Sequence, residues 1–182
     1  GQVCNAGSRV FVHHSVHDAF LEKLIKRAER LRLGDPMNRR TRSGPVVSAE
    51  HKAKIQSYID TGISEASRVF GSTPDPFTTL DGYFVQPTIF TDVKNEMQIA
   101  KSEIFGPVLS IIPFDTEEEA IKIVNETEYG LGNYIQTSDL DRAHRVAKKL
   151  RSGVVYINGN SMDSGTPFGG YRQSGNGREG GK

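Results

Sequence analysis

The chain has 182 residues, 36% hydrophobic and 25% charged, with 23 basic residues against 22 acidic ones. That mixture supports a buried core and excludes a disordered chain, and the near-balanced charge excludes a nucleic-acid binder driven by bulk positive charge. No apolar run approaches the roughly 20 residues that cross a bilayer, and the single cysteine, Cys4, excludes an internal disulfide, so a cytoplasmic setting is expected.

The first ten residues, GQVCNAGSRV, place Cys4 among Gln2, Asn5 and Gly7. A free cysteine is commonly a small buried hydrophobe. These neighbours are not core residues; they offer little bulk and amide donors, which suit close approach by a ligand. A nucleophilic thiol needs a lowered pKa or a nearby base, and none stands beside Cys4 in the sequence. Residues 8–13 alternate as a strand, with Val10 and Val12 on one side. A helix follows, with Ser15 and Asp18 at capping-box spacing and Phe20, Leu21, Leu24, Ile25, Ala28 and Leu31 as its stripe; Gly34 and Pro36 end it. Residues 38–45 read as a loop. Ser48 caps a second helix with Ile55, Tyr58, Ile59, Ile63 and Ala66 as its apolar face, and a short strand over 68–71 follows.

Residues 72–82 carry turn chemistry, and 83–93 read as extended, with Pro87 demoting part of the segment to an edge or a bulge. The run at 106–115 is continuously apolar, as in a strand covered on both faces. Thr116 and Glu119 form a capping box for a helix whose Ala120, Ile121, Ile123 and Val124 face inward. A strand at 131–137, a helix capped by Ser138 and stopped by Gly153, and a strand at 154–159 complete the order. Alternation of strand and helix predicts an α/β fold: a largely parallel sheet flanked by helices, with right-handed crossovers. From Gly165 onward glycine is too frequent for a regular element, so this stretch is a loop lying on another part of the fold.

Some patterns carry less than they suggest. Residues 175–180, GNGREG, match G-x-G-x-x-G, but the dinucleotide fingerprint needs a preceding strand and a following helix. His13, His14 and His17 are close in sequence, yet His13 and His14 at a strand end point to opposite faces, so they read as surface histidines and no metal site is expected. Residues 144–151 form a basic stripe that a solvated helix face explains.

Three motifs in order resemble the aldehyde dehydrogenase superfamily: GQVCNAGSR at the start, EIFGPV at 103–108, and PFGGYRQSGNGREGG at 167–181. The resemblance covers Gly1 to Lys182 and implies that the chain is the catalytic domain. It implies that Cys4 is the nucleophile, forming a thiohemiacetal and then a thioester, with its backbone N–H as one oxyanion donor. It implies that Glu103 accepts hydrogen bonds from the nicotinamide ribose, that Phe105 packs near the nicotinamide, and that His51 and Lys54 make polar contacts with that ribose. Phe168 and Met162 are implied as walls of the aldehyde tunnel. The cofactor is NAD or NADP, and the parent protein is implied to be a homo-oligomer.

The same resemblance puts a cofactor-binding domain, a general-base glutamate and an oxyanion-hole asparagine upstream of Gly1, and a last oligomerisation strand beyond GREGG. Without an initiator methionine, and with no terminal element at either end, the chain reads as a fragment, and the fragment alone is expected to be inactive. Tyr156 stands where the family commonly has tryptophan, with little effect expected. Two rival readings remain: an acylating enzyme that passes the thioester to coenzyme A, and a non-enzymatic interaction domain with an inert Cys4.

Overall fold

The computed structural model describes residues 1–71, 81–159, 161 and 165–181. These residues divide into two compact units, Gly1–Phe114 and Asp115–Lys182. The strands form a four-stranded sheet in the first unit and a two-stranded sheet in the second. The mixed α/β architecture with predominantly parallel pairing is as expected. A single continuous sheet through residues 106–159 is not, because the strand at 108–114 pairs within the first unit only.

In the first unit the strands are β1 (Arg9–His13), β2 (Ser67–Phe70), β3 (Thr88–Thr91) and β4 (Val108–Phe114), in the order β1-β4-β3-β2. β4 runs parallel to both β1 and β3, and β2 closes the edge antiparallel to β3. The helices are α1 (His17–Ala28), α2 (Ala49–Glu65) and the short α3 (Gln98–Lys101). Leu21 and Leu24 of α1 pack with Val12, Ile89 and Ile111 on one face of the sheet. Phe90, next to Ile89 and so on the opposite face, lies against Gly62 of α2, where an added Cβ would stand 2.6 Å from the ring. Helices thus cover both faces, which is the physical reason β4 is apolar without alternation. Its one polar residue, Ser110, is 1% exposed and its hydroxyl donates to the Ile99 carbonyl of α3 at 3.4 Å.

The local signals of this unit hold in part. Ser48 caps α2, its hydroxyl accepting from the His51 N–H at 3.1 Å. Ile55 and Ile59 are buried as predicted, while Ile63 is exposed because Gly62 takes the inward position against Phe90. The Ser15–Asp18 capping box does not form. The His13 ring nitrogen Nδ1 accepts from the Ser15 N–H at 3.2 Å and caps a 3-10 turn over His14–Val16, so α1 starts at His17 without a side-chain cap. Asp18 pairs with His17 instead, at 3.0 Å. The helix also ends at Ala28, leaving Leu31 exposed beyond it. Pro87 does not consign its segment to an edge: β3 begins one residue later and is an inner strand, so the missing N–H falls outside the ladder.

The second unit contains α4 (Glu117–Asn125), β5 (Gly132–Ile135), α5 (Leu140–Ala147) and β6 (Val154–Ile157). β5 and β6 are parallel, so β5-α5-β6 is a true βαβ unit. Tyr134 and Tyr156 are register partners whose rings stack with centroids 4.8 Å apart. Tyr156 is 6% exposed, so the position expected to hold a tryptophan still buries a large aromatic. Thr116 caps α4 by accepting from the Glu119 N–H, but the Glu119 carboxylate reaches back to the N–H of Asp115, one residue beyond the usual box partner. Asp139 rather than Ser138 caps α5, its carboxylate accepting from the Arg142 N–H at 2.9 Å. Gly153 lies well past the end of that helix and serves packing instead: a Cβ there would stand 1.6 Å from the Gly169 carbonyl oxygen.

The glycine-rich tail is a loop lying on this unit. Tyr171 N–H donates to Gly130 O and Gln173 N–H to Glu128 O, and the Arg172 guanidinium donates to the Asn125 and Thr127 carbonyls. Phe168 and Glu179 exchange backbone hydrogen bonds of 2.7 Å. Arg178 sits inside the return, bonding Gly170 O at 2.7 Å and Gly177 O at 2.8 Å, with its guanidinium 4.5 Å from the Tyr171 ring centroid. GNGREG is therefore the returning part of a folded loop, joined to Phe168 by a single bridge at Glu179, not the turn between a strand and a helix.

Candidate active site

Cys4 is exposed. It occupies a turn closed by the Ala6 N–H donating to Val3 O at 2.9 Å. Long-range contacts hold the turn. The Gln2 carbonyl Oε1 accepts from the Val47 N–H at 3.1 Å, and Ser8 O accepts from the Ser110 N–H of β4 at 2.9 Å. Gly1 lies so close to Gly106 that a Cβ would stand 1.9 Å from its oxygen. The small residues predicted to admit a ligand thus also allow two loops to approach.

The facing wall is the segment Glu103–Gly106, which precedes β4. Ile104 is buried and Glu103 is exposed. Among the described residues the Glu103 carboxylate makes no hydrogen bond or ion pair, so both oxygens are available as acceptors. Phe105 has φ of 59°, a left-handed backbone that costs a bulky residue about 1–3 kcal/mol. Gly106 packs on Ile55 of α2, where an added Cβ would stand 2.6 Å from Cδ1. The His51 Nε2–H donates to the Phe105 carbonyl at 2.7 Å, and the two rings are 6.3 Å apart in an edge arrangement. Because a carbonyl only accepts, this contact places a proton on Nε2.

Cys4, Glu103 and Phe105 line one recess together with Gly1, Gly7 and Gly106. Its volume of about 40 Å³ suits a group of a few heavy atoms, such as a carbonyl. Residues about a hundred positions apart in sequence thus meet in one place. His51 reaches the site through the Phe105 carbonyl rather than by lining the recess. Lys54, one turn further along α2, has an exposed side chain and does not line it. Phe168 belongs to the second unit, where it is half-buried and paired with Glu179. Met162 lies outside the described residues.

Sequence reasoning missed Gly1, Ile55 and Gly106 as supports of the site. The only signal available was the smallness of the glycines; their partner atoms are set by the fold. It also missed Arg9, which is half-buried, donates to Asn95 Oδ1 at 2.9 Å and lies 5.1 Å from the Phe11 ring centroid. Burial lowers its pKa without approaching neutrality at physiological pH. No described helix is long and apolar enough to cross a membrane.

Comparison with known proteins matches the whole chain, residues 1–182, to the model of the aldehyde dehydrogenase family. A betaine aldehyde dehydrogenase of Bacillus subtilis (strain 168) is 44% identical over 185 residues, covering 100% of this chain and 38% of that protein. Among solved structures, betaine aldehyde dehydrogenase from Staphylococcus aureus in complex with NAD+ superposes with a TM-score of 0.94 at 43% identity, covering 100% of this chain and 37% of that one. A mutant of the indole-3-acetaldehyde dehydrogenase of P. syringae, in complex with NAD+ and IAA, gives 0.93 at 42% identity with the same coverage. The chain therefore spans less than two fifths of the length of these relatives.

Proposed function

The chain belongs to the aldehyde dehydrogenase family, and from that premise we propose that it is the catalytic domain, over residues 1–182, of a protein that oxidises an aldehyde to a carboxylic acid. The observation that carries the proposal is the convergence of Cys4, Glu103 and Phe105 on one recess. Cys4 is the nucleophile: its thiolate adds to the aldehyde carbon and generates an oxyanion, toward which the Cys4 backbone N–H donates. Glu103 fits a pair of vicinal ribose hydroxyls, because its two carboxylate oxygens are exposed and uncommitted beside the recess. The nicotinamide cofactor, when bound, supplies the hydride acceptor. The Cys4 thioester is then hydrolysed, freeing the thiol and releasing the acid.

His51 acts through Phe105 in this reading, and Lys54 contributes a polar contact to the ribose from the outer face of α2. Phe168 and Met162 form apolar walls of the substrate tunnel. The cofactor is NAD or NADP; the NAD+ bound in both structural relatives favours NAD. The same relatives act on differently shaped aldehydes, so the substrate is proposed only as an aldehyde. The parent protein is proposed to be a cytoplasmic homo-oligomer. The general base and the rest of the cofactor site are proposed to lie in its cofactor-binding domain, so the 182-residue chain alone should not turn over.

The test is Cys4→Ala in the full-length protein. Supplied with NAD+ and an aldehyde series, the parent should form NADH and the variant should not; turnover by the variant would overturn the assignment. Repeating the assay with coenzyme A separates hydrolysis from acyl transfer, since acyl-CoA would appear in place of the free acid. NADH formation by the isolated chain would refute the proposed division of labour.

A further inference from the structure

The segment following α1 carries a charge pattern that the oxidation chemistry does not use. Residues 29–43 contain five arginines, Arg30, Arg32, Arg39, Arg40 and Arg42, against only Glu29 and Asp35. All five arginines are exposed. With Glu29 they line a single open recess of about 520 Å³, within the range of about 300–1,000 Å³ usual for small-molecule clefts. Among the described residues none of the five guanidiniums has a hydrogen-bond or ion-pair partner. Asp35 does not line the recess and, among the described residues, forms no ion pair with these arginines; its carboxylate accepts from the Met37 N–H at 2.9 Å and caps the turn.

The backbone holds this cluster in place. Arg42 N–H donates to Arg32 O at 2.8 Å, Ser43 N–H to the same oxygen at 3.2 Å, and Gly34 N–H to Ser43 O at 3.2 Å. Those bonds tie the base of the loop and set Arg32 and Arg42 side by side. Two successive turns, Asn38 N–H to Asp35 O and Thr41 N–H to Asn38 O, position Arg39 and Arg40 at the tip. Five like charges lining one recess repel one another, and the fold holds them there with one carboxylate, that of Glu29, among them.

We propose that this recess binds a compact oligophosphate, free or carried as the tail of a nucleotide. Guanidinium forks match phosphate oxygens two at a time, which lysines do not. Density of charge, rather than length, is what the site offers. No aromatic side chain lines it, so it lacks the stacking platform that single-stranded nucleic acid requires, and the chain's net charge of +1 gives no broad field for a duplex. The inference is independent of Cys4 and of the dehydrogenase reading.

Isothermal titration of the 182-residue chain with sodium tripolyphosphate at low salt tests it. Saturable binding is expected, weakened at least tenfold in R39Q/R40Q/R42Q, weakened severalfold in R39K/R40K/R42K, weakened by added salt, and unchanged in the second-unit control Lys148→Gln. The single variant Arg40→Gln, with a smaller loss, serves if the triple variant fails to fold. ATP binding as tightly as tripolyphosphate supports recognition of the phosphates alone; tighter ATP binding supports a nucleotide tail as the source. Absence of binding, full binding by the glutamine variant, equal affinity for citrate, or tighter binding of a single-stranded oligonucleotide would each overturn the proposal.

Discussion

His51 holds the carbonyl of Phe105 at 2.7 Å while Phe105 keeps a left-handed backbone with φ of 59°. The first turn of α2 and the loop before β4 are 54 residues apart in sequence, and this contact joins them beside the Cys4 recess. The Ser48 cap makes it possible, because it fixes the helix start and so the direction in which His51 projects. Gly106, next in the loop, packs on Ile55 of the same helix. The site wall is thus set by α2 through one hydrogen bond and one close packing contact.

Replacing His51 by Ala should release the Phe105 carbonyl and destabilise the chain by about 1 kcal/mol, the usual net value of such a bond. In the full-length protein the Michaelis constant for the cofactor should rise more than kcat falls. His51→Gln, which keeps a donor, should recover part of both. Thermal melts and cofactor titrations read the two effects; an unchanged cofactor constant in His51→Ala would show that the contact does not position the site.

Glu103→Gln in the full-length protein should weaken cofactor binding by about tenfold, since a charge-assisted hydrogen bond is worth about 1.5–3 kcal/mol. The melting temperature of the isolated chain should not change, because Glu103 is exposed and makes no contact among the described residues. Fluorescence titration with NADH checks the first point and calorimetry the second.

Gly62→Ala should destabilise the first unit by about 1–3 kcal/mol, the range for overpacking a core. The added methyl would meet the Phe90 ring, which is fully buried, at 2.6 Å. Urea unfolding should show a lower midpoint. The double variant Gly62→Ala with Phe90→Leu should recover part of the loss, and no recovery would mean the clash is not the cause.

Gly153→Ala should loosen the tail, because its methyl would stand 1.6 Å from the Gly169 backbone oxygen, an atom that cannot rotate away. Limited proteolysis should then cut within 165–181 faster than in the parent.

Acid should weaken the second unit. The Arg145 guanidinium, bonded to Glu117 through both carboxylate oxygens at 2.9 and 2.7 Å, holds that carboxyl below its ordinary value. The Arg142 N–H at the α5 cap does the same for Asp139. A carboxyl whose folded pKa is depressed contributes stability above its unfolded pKa and loses it as pH falls through the folded value. Asp139 is exposed and Glu117 is half-buried, so both still meet solvent and screening keeps the effect small. Far-UV melts should show stability declining below the ordinary carboxylate range, and the decline should be shallower in Glu117→Gln.

Much of the framework was legible because it is local. The Ser48 and Thr116 caps, the apolar run of β4, and the strands of the βαβ unit each depend on residues within a turn or two, where spacing alone carries the signal. The reading went astray where a nearby competitor was stronger. The His13 ring took the Ser15 N–H, and Asp139 offered a carboxylate one residue past Ser138. It also went astray at Pro87, because strand order is a long-range property and a proline just outside a ladder removes no bond.

By itself the sequence determined the element types and the family, since three motifs stand in order along the chain, and it singled out Cys4 and Glu103 as the residues to which the proposed chemistry is assigned. Only the tertiary structure decided that the strands divide between two sheets, that β3 is internal, and that Cys4, Glu103 and Phe105 share a recess. It also assigned His51 to a carbonyl and Gly1, Gly62, Gly106 and Gly153 to close packing. The physical reason is common to all of these: each depends on which distant atoms come within about 4 Å, and burial of both sheet faces brings them there.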